Sequence, residues 1–141
     1  SQRNGSAVFV AYIDLDNFKL INDQYGHDAG DRFLLAISAK LKNDRREGDF
    51  IARIGGDEFV IFGIITGSDS AQAAKKLRQQ IFDSTCGSFD ITDTVLQYGG
   101  ASVGLAVAES AEPVSSVLKR ADSEMYLQKK QRAATRNTAK R

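Results

Sequence analysis

The apolar run Ala7–Ile13 (AVFVAYI) constrains the fold more than any other stretch of this 141-residue chain. It is continuous rather than alternating, and β-branched and aromatic in character. Such a run suits a central strand buried on both faces. The rest of the chain must then supply neighbouring strands and a covering layer on each side. At this length it has the residues for one domain with a sizeable core.

Helical spacing follows. Phe33, Leu34, Ile37 and Leu41 fall on one face of a helix predicted over about 29–42, and NDRREGD (43–49) breaks it. Phe50–Ile54 and Phe59–Ile65 read as two strands around Gly55-Gly56. Ala74, Leu77 and Ile81 mark a second amphipathic helix. Thr85–Asp93 reads as a polar connection with room for a short strand. Val95–Val107 reads as strand, and its glycines at 99, 100 and 104 signal a bulge or a close backbone approach. Pro113 suits the first turn of a last helix, striped by Val114, Val117, Leu118, Ala121 and Met125. Residues 1–6 read as a loose N-terminus and 130–141 as a basic tail. The order predicts a single α+β domain over 1–141. It is a ferredoxin-like βαββαβ palm, with helices on a central antiparallel or mixed sheet and an added C-terminal helix. Were the first two strands parallel neighbours, their crossover would be right-handed.

Composition excludes several classes. A net charge of +1 gives no basic field for nucleic acid, and no stacking-aromatic segment of the RNA-binding kind is present. The single cysteine, Cys86, rules out an internal disulfide and reads as a packing residue. The sole histidine, His27, lacks a second histidine to complete a metal site and reads as a loop-packing or hydrogen-bonding residue. No apolar run is long enough to span a bilayer, and the N-terminus does not resemble a signal peptide. The expected setting is cytoplasmic, without direct membrane contact, or the cytoplasmic part of a larger anchored protein.

The acids carry the chemistry. Asp14 and Asp16 stand where the first strand runs out, and Asp57 and Glu58 stand at the hairpin. Acids are common at strand ends and turns, so any one of them has an ordinary structural explanation. Their joint placement at one sheet edge points to a hard-cation site for Mg²⁺ or Mn²⁺, whose remaining ligands are water and phosphate oxygens. The segment NFKLIND then offers backbone N–H groups at the start of a helical turn, with Lys19 close by, as a phosphate-binding corner. Asn22 and Asp31 could read a base. A carboxylate accepts the paired N–H donors of guanine, which adenine lacks, and leaving it unpaired would reject the wrong base strongly. Gly55 and Gly56 admit two readings, a plain turn or room for a bulky anion.

DLDNFKLINDQYGHDAGD followed by RIGGDEF, with ASVGLAV and LKRADSEMY further on, resembles the GGDEF domains, the diguanylate cyclases. The resemblance runs from about Ala7 to Lys129. It implies a palm similar to nucleotidyl cyclases that condenses two GTP into cyclic di-GMP and two pyrophosphates. The transfer would use two metals across a homodimer in which each domain holds one GTP. By motif position, Asp14 and Asp57 would be metal ligands with the Leu15 carbonyl, and Glu58 the neighbouring catalytic acid. Asn22 and Asp31 would recognise guanine. Asn17 and Phe18 would give backbone N–H groups to phosphate, Lys19 and Lys129 charge, and Gly55 and Gly56 room. Arg46 and Asp49 have the R-x-x-D spacing of the family's inhibitory site for the product.

Two departures from the family pattern stand out. Only six residues precede the first strand, where the family usually carries a D-x-L-T-G-L-x-N-R-like segment. The family also places an arginine four residues after the phosphate-binding lysine. Here Ala133 stands there, with Arg132 and Arg136 as candidates to replace it. The alternative is therefore a catalytically weak GGDEF module that binds GTP or cyclic di-GMP and controls a neighbouring domain. A sensor or a phosphodiesterase would be the flanking partner.

Overall fold

The computed structural model describes residues 5–67 and 70–139, with the backbone alone for 137–139. The apolar run becomes β1 (Ser6–Asp14), and it serves two layers. Phe9, Ala11 and Ile13 point into one core and Val10 into another; all four are completely buried. After β1 come α1 (Phe18–Tyr25), α2 (His27–Asn43), β2 (Phe50–Arg53), β3 (Glu58–Thr66) and α3 (Ser70–Ser84). The chain continues through β4 (Gly87–Ile91), β5 (Thr94–Tyr98), β6 (Ser102–Val107) and α4 (Val114–Ala139).

The main sheet has the order β2-β3-β1-β6, and every neighbouring pair is antiparallel. This is the expected α+β palm, with the sheet wholly antiparallel rather than mixed. β1 and β2 run in the same direction, but β3 lies between them. The handedness rule for adjacent parallel strands therefore has no pair to act on.

One face of the sheet packs on Phe33, Ile37 and Leu41 of α2 and on Leu77 and Ile81 of α3. The other face meets α4 through a smaller set, Val10, Val60 and Ala106 against Val117 and Ala121. Three valines, at about 1.5–3 kcal/mol each when fully buried, hold a 26-residue helix only modestly. Closer contacts make up the difference. A Cβ on Gly104 would overlap the Ala121 carbonyl oxygen and the Met125 nitrogen, so helix and strand backbones touch there. Arg120 pairs with Glu112 at 2.6 Å and also donates to the Val107 carbonyl, pinning the start of the helix. The β2–β3 half of this face stays open, with Phe50 64% and Ile64 50% exposed.

The structure revises several expectations. Val95–Val107 is two strands. β5 pairs with β4 in a separate hairpin, and only β6 joins the main sheet. The break falls at Gly100, whose φ of +109° and close fit against Phe82 and Cys86 suit glycine alone. Hydrophobicity is unbroken across it, so pattern alone cannot show the turn. The short strand in 85–93 is β4, and Phe89 and Tyr98 stack the hairpin onto Phe33 at 5.4 and 4.7 Å. A separate helix, α1, precedes α2. His27 opens α2 and is exposed rather than packed in a loop. Val114 is exposed because α4 reaches the sheet only at Val117. Of the loose N-terminus, residues 1–4 lie outside the described residues, and Ser6 already belongs to β1. Residues 130–139 of the basic tail continue α4, and 140–141 lie outside the described residues. Among the described residues no helix is long and apolar enough to cross a membrane.

Candidate functional site

β1 ends where β3 begins, and that brings the acids to one edge. Asp14 lies opposite Glu58 in the ladder, and the Leu15 N–H donates to the Asp57 carbonyl at 2.9 Å. That bond crosses from the end of β1 to the hairpin, so Asp14, Leu15 and Asp57 are held as one unit. The hairpin is held too. Arg53 donates from Nε to the Gly55 carbonyl at 3.0 Å and from Nη2 to the Gly56 carbonyl at 2.9 Å. Neither glycine has a positive φ, so the mirror-image two-residue turn that Gly-Gly often signals is not formed.

Asp14 is 7% exposed. Its Oδ2 accepts from Lys129 Nζ at 3.0 Å, while its Oδ1 is buried with no hydrogen-bond partner among the described residues. An unpaired buried oxygen of this kind costs about 1–3 kcal/mol. Burial pushes the Asp14 carboxyl above its usual pKa, Lys129 opposes that, and Asp57 and Glu58 add to it. Burial also pulls the Lys129 ammonium down, but Asp14, Asp16 and Asp57 outweigh it and leave it above the ordinary lysine value. Tyr12, half-buried beside Glu58 and bonded to it, is pushed up to about 12 by desolvation and by that carboxylate.

Two carboxylates, a nearby carbonyl and one orphaned carboxylate oxygen form a donor set that fits a hard divalent cation. Among the described residues no three His, Cys, Asp or Glu side chains gather into a full metal cage. Such a site leaves coordination positions for water and phosphate.

Asp16 is the acid that the sequence reading left without a role. It is 2% exposed. Its Oδ1 accepts from Ser102 Oγ at 2.7 Å, and its Oδ2 accepts from Arg132 Nε at 2.6 Å and Arg136 Nη1 at 3.3 Å. Tyr98 donates its O–H to the Asp16 carbonyl at 2.6 Å. Neither arginine could be assigned to Asp16 from spacing, because the partners lie more than a hundred residues apart in the chain. Arg132 also reaches the Gly99 and Gly100 carbonyls, at 3.2 Å each, so its fork faces inward.

Asn17 follows with φ +63°, a left-handed conformation, and stands as N-cap of α1 without a side-chain cap bond. The first-turn amides of α1 are left for an outside acceptor. Phe18 is half-buried and Lys19 exposed at this corner. Asn22, on α1, lies across Gly30 of α2, where a Cβ would overlap its Oδ1. Asp31 is the next residue and is exposed. Asn22 thus lies against the residue before Asp31, which puts the two predicted base readers at the same α1–α2 junction. A groove of about 610 Å³ lies on the other side of α1, lined by Leu20, Gln24, Tyr98, Arg132 and Arg136. It shares Asn17 with the phosphate corner but does not include Asp14, Asp57, Asn22 or Asp31.

Arg46 and Asp49 are also brought together, at the far end of β3. Arg46 Nη2 lies 3.5 Å from Asp49 Oδ1 and donates to the Ile64 carbonyl at 2.8 Å. The Asp49 side chain is 4% exposed, packed over Gly63, with Oδ2 buried and unpartnered among the described residues.

An antiparallel palm with acids at the exit of one central strand and the entry of the other defines the nucleotidyl-cyclase-like class. The sequence pattern of the family described as "Diguanylate cyclase, GGDEF domain" matches residues 1–135. The chain belongs to the GGDEF family. It is 38% identical over 129 residues to diguanylate cyclase DgcP of Escherichia coli (strain K12), spanning 91% of this chain and 37% of that protein. The chain thus spans well under half of this curated relative. A sensory box/GGDEF family protein from Caulobacter crescentus has a similar structure, with a TM-score of 0.81 and 30% identity. That match covers 90% of this chain and 81% of the other. The GGDEF domain of DgcB from Caulobacter crescentus, whose structure is a complex with c-di-GMP, matches at 26% identity. Its TM-score is 0.74, with 92% of this chain and 76% of that one covered.

Proposed function

We propose that this domain is a diguanylate cyclase, condensing two GTP into cyclic di-GMP with release of two pyrophosphates. The bond from Leu15 N–H to the Asp57 carbonyl carries the reading, because it joins the two acid-bearing edges into one site. The domain structure in complex with c-di-GMP supports it.

Asp14, Asp57 and the Leu15 carbonyl would hold Mg²⁺ or Mn²⁺. Bound there, the cations supply activation of a ribose 3′-hydroxyl and neutralise charge on the departing pyrophosphate. Glu58 adds a carboxylate beside Asp14. The Asn17 and Phe18 amides and Lys19 and Lys129 bind the phosphates; Lys129, which pairs with Asp14 at 3.0 Å, would turn from that carboxylate to phosphate. Asn22 and Asp31 take the guanine edge. Gly55 and Gly56 leave the hairpin bare beneath the triphosphate. One domain holds one GTP on an open edge, so each 3′-oxygen attacks the α-phosphorus held by a second domain. Turnover therefore needs a homodimer. The Arg46–Asp49 pair takes the product as inhibitor. The setting is cytoplasmic, where GTP is available.

The test is incubation with GTP and Mg²⁺, the products resolved by chromatography, with Asp57→Ala alongside. Cyclic di-GMP is expected from the parent alone, with both proteins melting alike. Equal product from both would remove Asp57 from the site. Binding of GTP without turnover would favour the regulatory module that the missing arginine at position 133 suggests.

A further inference from the structure

We infer that Arg132 is a positioning residue that holds the phosphate corner in shape through Asp16. The inference rests on the reading above, in which the Asn17 and Phe18 amides receive phosphate. Arg132 occupies α4 one residue before Ala133, and its fork faces away from the open edge. It bonds Asp16 Oδ2 at 2.6 Å and two carbonyls of the β5–β6 turn at 3.2 Å, and it lies 4.9 Å over the Phe82 ring. A guanidinium engaged on all these groups is not free to bind a substrate phosphate.

Asp16 is the residue before Asn17. A non-glycine residue at φ +63° persists only where its surroundings over-determine the backbone. Three groups do so here. Tyr98 holds the Asp16 carbonyl, Ser102 holds Oδ1, and Arg132 holds Oδ2. Arg136 reaches the same Oδ2 at 3.3 Å with a side chain 39% exposed, a longer and wetter contact. Arg132 is therefore the principal counter-charge to a buried carboxylate that lies one residue from the anion-binding amides. Without it, Asp16 must turn toward water or repel the phosphate. The turn toward water releases Asn17 from its left-handed conformation, and the repulsion weakens phosphate binding at the same amides.

Asn17→Gly separates this from simple docking of α4, since glycine adopts positive φ without cost. The measurements are hydrogen exchange and binding of 3′-deoxy-GTP, which cannot react, in the presence of Mg²⁺. In Arg132→Ala, the Ile21 amide, which donates to the Asn17 carbonyl at 3.1 Å, should exchange at least about tenfold faster, with the α4 amides at 114–128 unchanged. The Kd for 3′-deoxy-GTP should rise about tenfold, the size of one lost charge-assisted interaction. Adding Asn17→Gly should restore much of that affinity. Arg132→Lys, which keeps the charge but cannot fork onto the carbonyls, should fall between, and it carries the test if Arg132→Ala does not fold. Unchanged exchange at Ile21, or no recovery with Asn17→Gly, overturns the inference. A parent chain that binds no 3′-deoxy-GTP overturns the functional reading instead, while the exchange data still decide whether Arg132 holds the corner.

Discussion

Gly56 leaves open a space that nothing in the protein fills. A Cβ there would have no neighbour within 4 Å, and its φ lies outside the left-handed region. Neither packing nor turn geometry demands glycine, so the bare backbone serves whatever lies outside it. Gly55 differs, since a Cβ there would come within 3.0 Å of Glu58 Oε1. Gly56→Ala is expected to change stability by less than about 0.5 kcal/mol, as for an exposed site, while weakening GTP binding. Calorimetry with 3′-deoxy-GTP and a thermal melt on the same sample check both halves; unchanged affinity would remove the glycine from the nucleotide site. Asp14, Asp57 and Glu58 could be read from the sequence because strand ends can be counted along it. Asp16 could not, because its partners Ser102, Arg132 and Arg136 are set by how α4 and β6 cross β1.

At the level of elements, α4 shows what periodicity reveals and what it hides. The stripe Val117, Ala121 and Met125 was visible as helical spacing and is buried as expected. The closeness of helix to sheet was visible only in part: Gly104 signalled a close backbone approach, but not that α4 makes it, because the partner lies in a different element. Gly104→Ala would drive a methyl into the Ala121 carbonyl and the Met125 amide nitrogen, both main chain and unable to swing aside. A loss of about 1–3 kcal/mol is expected, the usual range for overpacking, read from chemical denaturation. The displaced helix should also carry Lys129 off Asp14 and lower turnover beyond what the melt predicts. A neutral Gly104→Ala would mean that helix and sheet are not in backbone contact. The split of Val95–Val107 was hidden for a related reason. Its register is set by which strands pair, and the β4–β5 hairpin pairs only with itself.

Across the whole molecule, the proposed inhibitory pair and the acid edge lie at opposite ends of β3. Arg46 bonds at Ile64 and the acids begin at Glu58, so six residues of strand, at about 3.3 Å each, separate them by about 20 Å. Product bound at Arg46 cannot cover the metal ligands of the same domain. An inhibitory effect from there would have to pass through the placement of domains. Arg46→Ala is therefore expected to weaken cyclic di-GMP binding by about tenfold, as for one lost fork, and to leave GTP binding intact. Calorimetry with each nucleotide decides; equal affinity for the product in both proteins would dismiss the pair. The attachment of α4 also has a mechanical meaning. At about 1.5 Å per residue its 26 residues make a beam about 39 Å long. Arg120 clamps it near one end and Arg132 nearer the other, with the Gly104 contact and Lys129 on the span between. A beam gripped at two points resists bending and swivelling, so a load applied beyond Arg132 is passed along its axis to the ammonium at the acid edge.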